Sequence, residues 1–182
     1  MKKIMFNDTY ALTAAVLNGS KTQTRRIVSD KLLSRYGHNK YNNRTDDLIR
    51  DAPFKVGEIV AVAQPYKVFY GDFKEPLRTE LIDSAGFMNK MFVKAELMLH
   101  QIEITGIRVQ RLQDISDEDC LAEGVIKYAN DVYTYYNHGK WLFHADLDTP
   151  QKAYADLINR ISGKGTWERN QWVFAYNFKL VK

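Results

Sequence analysis

Two stretches limit the fold more than any others. From Trp172 onward, Trp172, Phe174, Tyr176, Phe178 and Leu180 fall on one face, with Asn177 and Lys179 opposite. This is the period of two of a strand with one covered side. Ile102 and Ile104 likewise share a face, but Ile107 and Val109 continue the alternation in a shifted phase after Gly106. A phase change inside a strand calls for a bulge, and a bulged strand bends. A long bent strand suits a small barrel better than a flat sheet.

Shorter apolar stretches supply the other expected strands: 4–6, 56–62 with Pro53 and Gly57 marking the turn before it, and 92–97. Three helices are expected between them. In the first, Asn7 or Asp8 offers an N-cap and Tyr10, Ala11, Ala14, Ala15 and Leu17 recur at helical spacing, giving about ten residues before Asn18 and Gly19 close it. The second has Ser116 as N-cap, acidic residues 117–119 on the positive helix end and Gly124 as the stop. The third begins at Asp148-Thr149-Pro150, carries Tyr154, Leu157, Ile158 and Ile161 as its apolar stripe and ends at Gly163. The fold class is therefore α+β, a small, bent, mixed β-barrel with about three flanking helices. Two long insertions interrupt it. Residues 29–52 are polar, with at most one helical turn near Leu48-Ile49, and residues 70–91 are broken by Gly71, Pro76 and Gly86.

The chain has 182 residues, 45% of them hydrophobic, which suits one domain across 1–182 with a core of its own. A net charge of +4 permits an anionic partner such as RNA or a nucleotide, and serves equally well as a solubilising surface charge. One cysteine, Cys120, excludes an internal disulfide and fits a reducing cytosol. His38, His100, His138 and His144 lie at spacings unlike any paired metal-ligand motif, so no metal is expected. Nor is a cofactor, since no strand leads into a glycine-rich phosphate loop. The apolar run in MKKIMFNDTY is too short for a signal peptide, and no stretch approaches the roughly 18 apolar residues of a membrane span. A soluble cytoplasmic protein without membrane contact is expected.

One segment has more chemistry than packing. Asn18-Gly19-Ser20-Lys21-Thr22-Gln23-Thr24-Arg25-Arg26-Ile27 follows a helix stop with almost nothing to bury. A threonine becomes a nucleophile when a base removes its proton, and a lysine is such a base only when neutral. Bringing its pKa from about 10.4 to about 7 takes roughly 4.6 kcal/mol of desolvation and positive-charge repulsion. Arg25 and Arg26 can supply repulsion; a carboxylate beside Lys21 would oppose the change. Residues three apart in a regular strand face opposite sides, so Lys21 and Thr24 meet only if the chain curls after Gly19 or bulges. The same composition also suits a solvated edge strand that resists aggregation.

The pattern resembles the ASCH superfamily of PUA-like β-barrels. The likeness rests on Gly19-x-Lys21-x-x-Thr24-x-Arg26, Val56-Gly57-Glu58, Ile104-x-x-Ile107-x-Val109, Leu112-x-Asp114-Ile115-Ser116 and Ala122-Glu123-Gly124. Lys21 to Arg26, together with Trp167-Glu168-x-Asn170-x-Trp172-Val173, is similar to a longer form found in bacteriophages and prophages, which would place the protein in a host cytoplasm. Residues 29–52 and 70–91 fall outside the likeness. The resemblance implies an amidohydrolase that removes the acetyl group of N(4)-acetylcytidine: Thr24 as nucleophile, Lys21 as base, Glu123 as acid or base toward the leaving nitrogen. Arg25, Arg26 and Tyr66 are the expected substrate-binding residues. Ala63-Gln64-Pro65-Tyr66 departs from the Arg-Glu-x-Trp-like stretch expected of the longer relatives, and Asn170-Gln171-Trp172 lacks their proline before tryptophan.

A second reading is an RNA-binding or RNA-processing module without amidohydrolase activity. There Lys21, Arg25, Arg26, Arg108 and Arg111 would meet phosphates, and Tyr133, Tyr135, Tyr136 or Trp141 would stack on bases. The aromatic run serves core packing equally well. A third is a phage accessory protein that sequesters a modified nucleotide or blocks a host factor, the old site surviving only as a pocket.

Overall fold

The computed structural model describes residues 1–36, 45–70, 79–143 and 146–181. In chain order the elements are β1 (Lys2–Ile4), α1 (Leu12–Leu17), β2 (Gln23–Ile27), α2 (Asp30–Tyr36), α3 (Thr45–Arg50), β3 (Ile59–Val62), α4 (Lys67–Tyr70) and α5 (Thr79–Ile82). Then come β4 (Gln101–Arg111), α6 (Asp117–Ala122), β5 (Ile126–Ala129), β6 (Val132–Asn137), β7 (Lys140–Leu142), α7 (Pro150–Ser162), α8 (Thr166–Arg169) and β8 (Trp172–Leu180). Among the described residues no helix is long and apolar enough to cross a membrane.

The two stretches that limited the fold form its central ladder. β4 and β8 pair antiparallel along nearly their whole lengths, and the register slips between Ile104 and Gly106, where the phase change requires it. Around them the sheet runs β1-β3-β4-β8-β2, with only β1 and β3 parallel. Ile102, Ile104, Phe174, Tyr176 and Phe178 form one core with Ile4, Val60 and Val62, and Val16 of α1 and Leu48 of α3 close it. Beside Gln110, Val173 turns to the other face, into a second core under α6 and α7 with Leu112, Ile115, Tyr135 and Leu157.

The fold is α+β as expected, but the barrel does not close. β1 and β2 remain the two edges of the sheet, with no ladder between them. β1 is three residues long, and the chain then turns on itself: the Ala11 N–H donates to Asp8 O and the Leu12 N–H to Asn7 O. Too little strand is left to reach across. The seam is spanned instead by a side chain, Arg26 Nη2 donating to Met5 O at 2.6 Å.

The same turn shortens the first helix, since Asn7 and Asp8 are spent on turns, Ala11 sits at φ 51° and the helix starts only at Leu12. The helix stops came out as expected, with Gly19 at φ 80°, Gly124 at φ 109° and Gly163 at φ 99°. The expected N-cap Ser116 is present and accepts from the Asp119 N–H, whereas Asn7 and Asp8 do not cap α1; α7 starts at Pro150 as expected, with Thr149 accepting from the Lys152 N–H. Residues 92–97 are not a strand and do not extend the sheet beside β3, whose two edges are taken by β1 and β4. Their apolar side chains pack across the outer face of β3 instead, Val93 and Ala95 against Ala61 and Ala63, through two short 3-10 turns. The first insertion holds more structure than its composition announced, since α2 and α3 both lie in it and Leu48 is fully buried. Residues 37–44 fall outside the described residues, as do Gly71 and Pro76 of the second insertion. The aromatic run 126–142 forms a separate three-stranded sheet, β5-β6-β7, which the sequence reading did not anticipate.

Gly124 tests the turn that ends α6. A Cβ there would sit 3.0 Å from Leu12 Cδ2 on a backbone at φ 109°. Gly124→Ala is expected to lower stability by about 2 kcal/mol, read as a reduced urea midpoint at unchanged m-value.

Candidate active site

The turn after α1 decides where Lys21 points. Asn18 Oδ1 accepts from both the Ser20 N–H and the Ser20 hydroxyl, and the Lys21 N–H returns to Ala15 O at 2.9 Å. The Thr22 N–H then donates to Ala122 O at the end of α6, while Thr22 O accepts from the Phe178 N–H of β8. β2 begins only at Gln23, so Lys21 is outside the strand's alternation. This is the curl that a meeting of Lys21 and Thr24 requires.

Lys21 Nζ donates to the Glu123 carboxylate at 2.6 Å and to the Glu123 backbone carbonyl at 2.7 Å. The pair is buried, with side-chain exposures of 2% and 6%. Glu123 is the C-cap of α6 and Gly124 lets the chain turn away behind it, which fixes the carbonyl beside the lysine. The other carboxylate oxygen accepts from Arg25 Nη1 at 3.1 Å. Thr24, on β2 opposite Tyr176, opens on the same cavity as Lys21 and Glu123, and among the described residues its hydroxyl makes no hydrogen bond.

That cavity has a volume of about 620 Å³ and lies along the open seam of the sheet. Lys21, Thr24, Arg25 and Glu123 form its polar floor. Phe6 and Leu12 line one wall, and Tyr154, Leu157 and Ile161 of α7 the other. Lys90 stands at the rim, paired with Asp8 at 2.7 Å and donating to Phe6 O.

Burial pulls the Lys21 ammonium below its ordinary pKa. Glu123 pulls it back up by charge and hydrogen bond, and the charges of Arg26 and Arg25 push it down; the net direction is down. The carboxylate that was expected to oppose a neutral lysine is therefore present, and desolvation outweighs it. The Arg25 and Arg26 charges contribute with the expected sign but come after burial and Glu123.

The other expected site residues divide. Arg25 is committed to carboxylates, with Nη2 on Asp119 Oδ2 at 2.6 Å and Nη1 on Glu123, so it holds the floor. Arg26 lines the cavity with its guanidinium 5.8 Å from the Phe6 ring centre. Tyr66 lies apart from the cavity: β3 ends at Val62, and Tyr66 is buried with Val93, Ala95 and Met98, its hydroxyl accepting from the Lys94 N–H at 2.7 Å. The stretch 63–66 thus turns away before it can contribute to the site.

The residues proposed for phosphate and base contact are largely taken. Arg108 pairs with Asp119 at 2.6 Å, and Arg111 donates to Asn170 O with its guanidinium 4.5 Å from the Trp172 ring centre. Tyr135 is fully buried and donates to Asp156, while Tyr136 meets Trp141 edge-on. Trp141 is half exposed on the small sheet, away from the cavity.

Two further residues belong to the site. Tyr154 was assigned to an apolar stripe; it lies in the cavity wall, 5.9 Å from the Arg25 guanidinium, and burial pushes its hydroxyl well above the ordinary range. A phenol in an otherwise aliphatic stripe was the available signal. Asp119, an acid in the first turn of α6, stands four residues before Glu123 and so on the same helix face.

No family model matches the chain, and no curated protein matches it. Among solved structures it is similar to a protein from Enterococcus faecalis V583 described by the family DUF984, at 12% identity and TM-score 0.45, over 100% of this chain and 77% of that one. It is also similar to an ASCH domain from Lactobacillus crispatus JV V101, at 12% identity and TM-score 0.41, over 96% of this chain and 75% of that one. Likenesses this distant establish no activity, and the chemistry rests on the chain's own side chains.

Removing the carboxylate leaves a buried ammonium facing two guanidiniums. Glu123→Gln is expected to cost about 3 kcal/mol of stability near neutral pH. Because burial depresses the folded-state pKa of Lys21, the unfolded chain binds more protons between that value and the ordinary one. Stability therefore rises with pH in that window, and the deficit of the variant relative to wild type should shrink toward about pH 9.5. Urea titrations of both proteins at the two pH values check the sign.

Proposed function

We propose that the chain is an amidohydrolase that removes an acyl group from a modified nucleoside such as N(4)-acetylcytidine. Thr24 is the nucleophile, Lys21 the base and Glu123 the acid. The observation that carries this reading is the buried Lys21–Glu123 pair, 2.6 Å apart, opening on the same cavity as an uncommitted threonine hydroxyl. Burying two charges costs more than their attraction reliably returns, so a pair at a cavity floor is better explained by chemistry than by stability.

The proposed cycle needs one proton shared across the pair, and its reactive form has that proton on Glu123. With the proton on Glu123, Lys21 is neutral and takes the Thr24 proton as Oγ1 attacks the acyl carbonyl carbon. The carbon–nitrogen bond breaks as Glu123 gives its proton to the leaving exocyclic nitrogen. Free amine departs, the acyl group is esterified to Thr24, and the pair is left as ammonium and carboxylate. In the second half, Glu123 takes a proton from water as its oxygen attacks the ester. Lys21 returns a proton to Thr24 Oγ1, the carboxylic acid leaves and the starting state is restored. Each step conserves the proton count without an outside acid or base.

The surroundings support the reading. A cavity of about 620 Å³ accommodates a nucleoside. Phe6 and the aliphatic face of α7 exclude water, which favours the neutral form of Lys21. Tyr154, held protonated, offers an O–H donor to the substrate, and Arg26 offers a cation at the seam.

Acetate release from N(4)-acetylcytidine and a panel of acylated nucleosides tests the proposal. Wild type should turn over, while Thr24→Ala and Lys21→Ala should each lose about 1,000-fold or more in kcat/KM with the fold retained by circular dichroism. Background release by wild type, with tight and steeply salt-dependent binding of a short RNA, would favour the RNA module instead.

A further inference from the structure

The Asp119 carboxylate is a meeting point of two guanidiniums. Oδ2 accepts from Arg25 Nη2 and from Arg108 Nη2, each at 2.6 Å, and Oδ1 accepts from Gln23 Nε2 at 2.8 Å. Gln23 also donates to Asn177 Oδ1 at 2.7 Å and accepts from Arg25 Nη1. Held on that side, Arg25 presents Nη1 to one oxygen of Glu123 while Lys21 takes the other. A continuous line of contacts thus joins Arg108, half exposed on β4, to the buried pair.

We propose that Asp119 is a positioning residue that, through Arg25, orients the Glu123 carboxylate and sets the pH range over which the Lys21–Glu123 pair keeps its shared proton, with Arg108 as the opposing charge. Its consequence for turnover rests on the amidohydrolase reading; its effect on the pair does not.

Arg25 lies between two carboxylates with almost no contact with water. With Asp119 neutral, Arg25 has Glu123 as its only remaining carboxylate among the described residues, draws it from Lys21 and adds uncompensated positive charge beside the lysine. Both effects favour proton loss from the pair. With Arg108 neutral, Asp119 serves Arg25 alone and the local field turns more negative, which has the opposite effect. The other titratable or charged groups near the pair leave this balance to Asp119. Arg26 of β2 stays charged throughout. Tyr154 of α7, Cys120 of α6 and Tyr176 of β8 are all pushed up by burial, the last two to about 12, and stay neutral. Lys90 and Asp8 at the rim are paired with each other. Asp119 itself is ionised: burial raises its pKa, but hydrogen bonds from Gln23 and Arg25 and the charges of Arg25 and Arg108 bring it below the ordinary carboxylate value.

Two variants move the pair in opposite directions. The probe is the NMR titration of the Lys21 Cε and Glu123 Cδ resonances, read beside the pH profile of kcat/KM on N(4)-acetylcytidine. Asp119→Asn should shift the pair's alkaline transition down by about 0.5 in pH and lower kcat about tenfold with KM changed less than about twofold. Arg108→Gln should shift it upward, and Asp119→Glu should restore the wild-type transition. A packing role alone would lower stability in each variant without opposite titration shifts. Unmoved titrations, or shifts of the same sign in both variants, overturn the proposal whether or not wild type is active. Opposite shifts in a protein that releases no acetate uphold the coupling and sink only the amidohydrolase reading.

Discussion

The site is organised by one ion pair out of water. Lys21 and Glu123 are 2.6 Å apart at the bottom of a cavity, and neither is stable there alone. The α1 turn aims the lysine, the C-cap of α6 supplies a second acceptor from the Glu123 carbonyl, and Arg25 takes the remaining carboxylate oxygen. The backbone bonds of Thr22 to Ala122 and Phe178 lock these elements together. The polar floor is held by charge balance more than by packing, and every formal charge in it has a named partner.

The cavity exists because the sheet does not close. A ladder between β1 and β2 would bury Thr24 and Arg26 in continuous strand pairing. The chain instead leaves β1 after Ile4, turns at Asn7 and Asp8, and exposes the seam to the apolar face of α7. α7 is amphipathic in the ordinary way, with Tyr154 and Leu157 buried, yet it packs over a gap and so lends the same side chains to a cavity wall.

Local signals were readable one residue at a time. Ser116, Thr149 and Pro150 mark helix starts because a cap answers to its own first turn, and Gly106 marks the bulge because a phase shift is written in the strand itself. Residues 92–97 misled for the converse reason. Their alternation is that of a half-buried strand, but their apolar side chains pack over the face of β3, whose two edges are paired with β1 and β4. Tyr66 is expected in the site only by resemblance; β3 ends four residues before it, at Val62, and its ring packs with Val93, Ala95 and Met98 instead of the cavity. Leu48 looked isolated in a polar stretch and is fully buried, because its partners come from strands far along the chain.

The sequence by itself determined the α+β class, the bent central strands, the starts of α6 and α7 and the grouping of Lys21 and Thr24 after a glycine stop, because each depends on residues within a few positions of one another. Only the tertiary structure decided that the barrel stays open, that desolvation outweighs a carboxylate beside Lys21, and that Asp119, Arg25 and Glu123 form one network. Those outcomes depend on which charges lose their water together, and that follows from contacts between residues about a hundred positions apart.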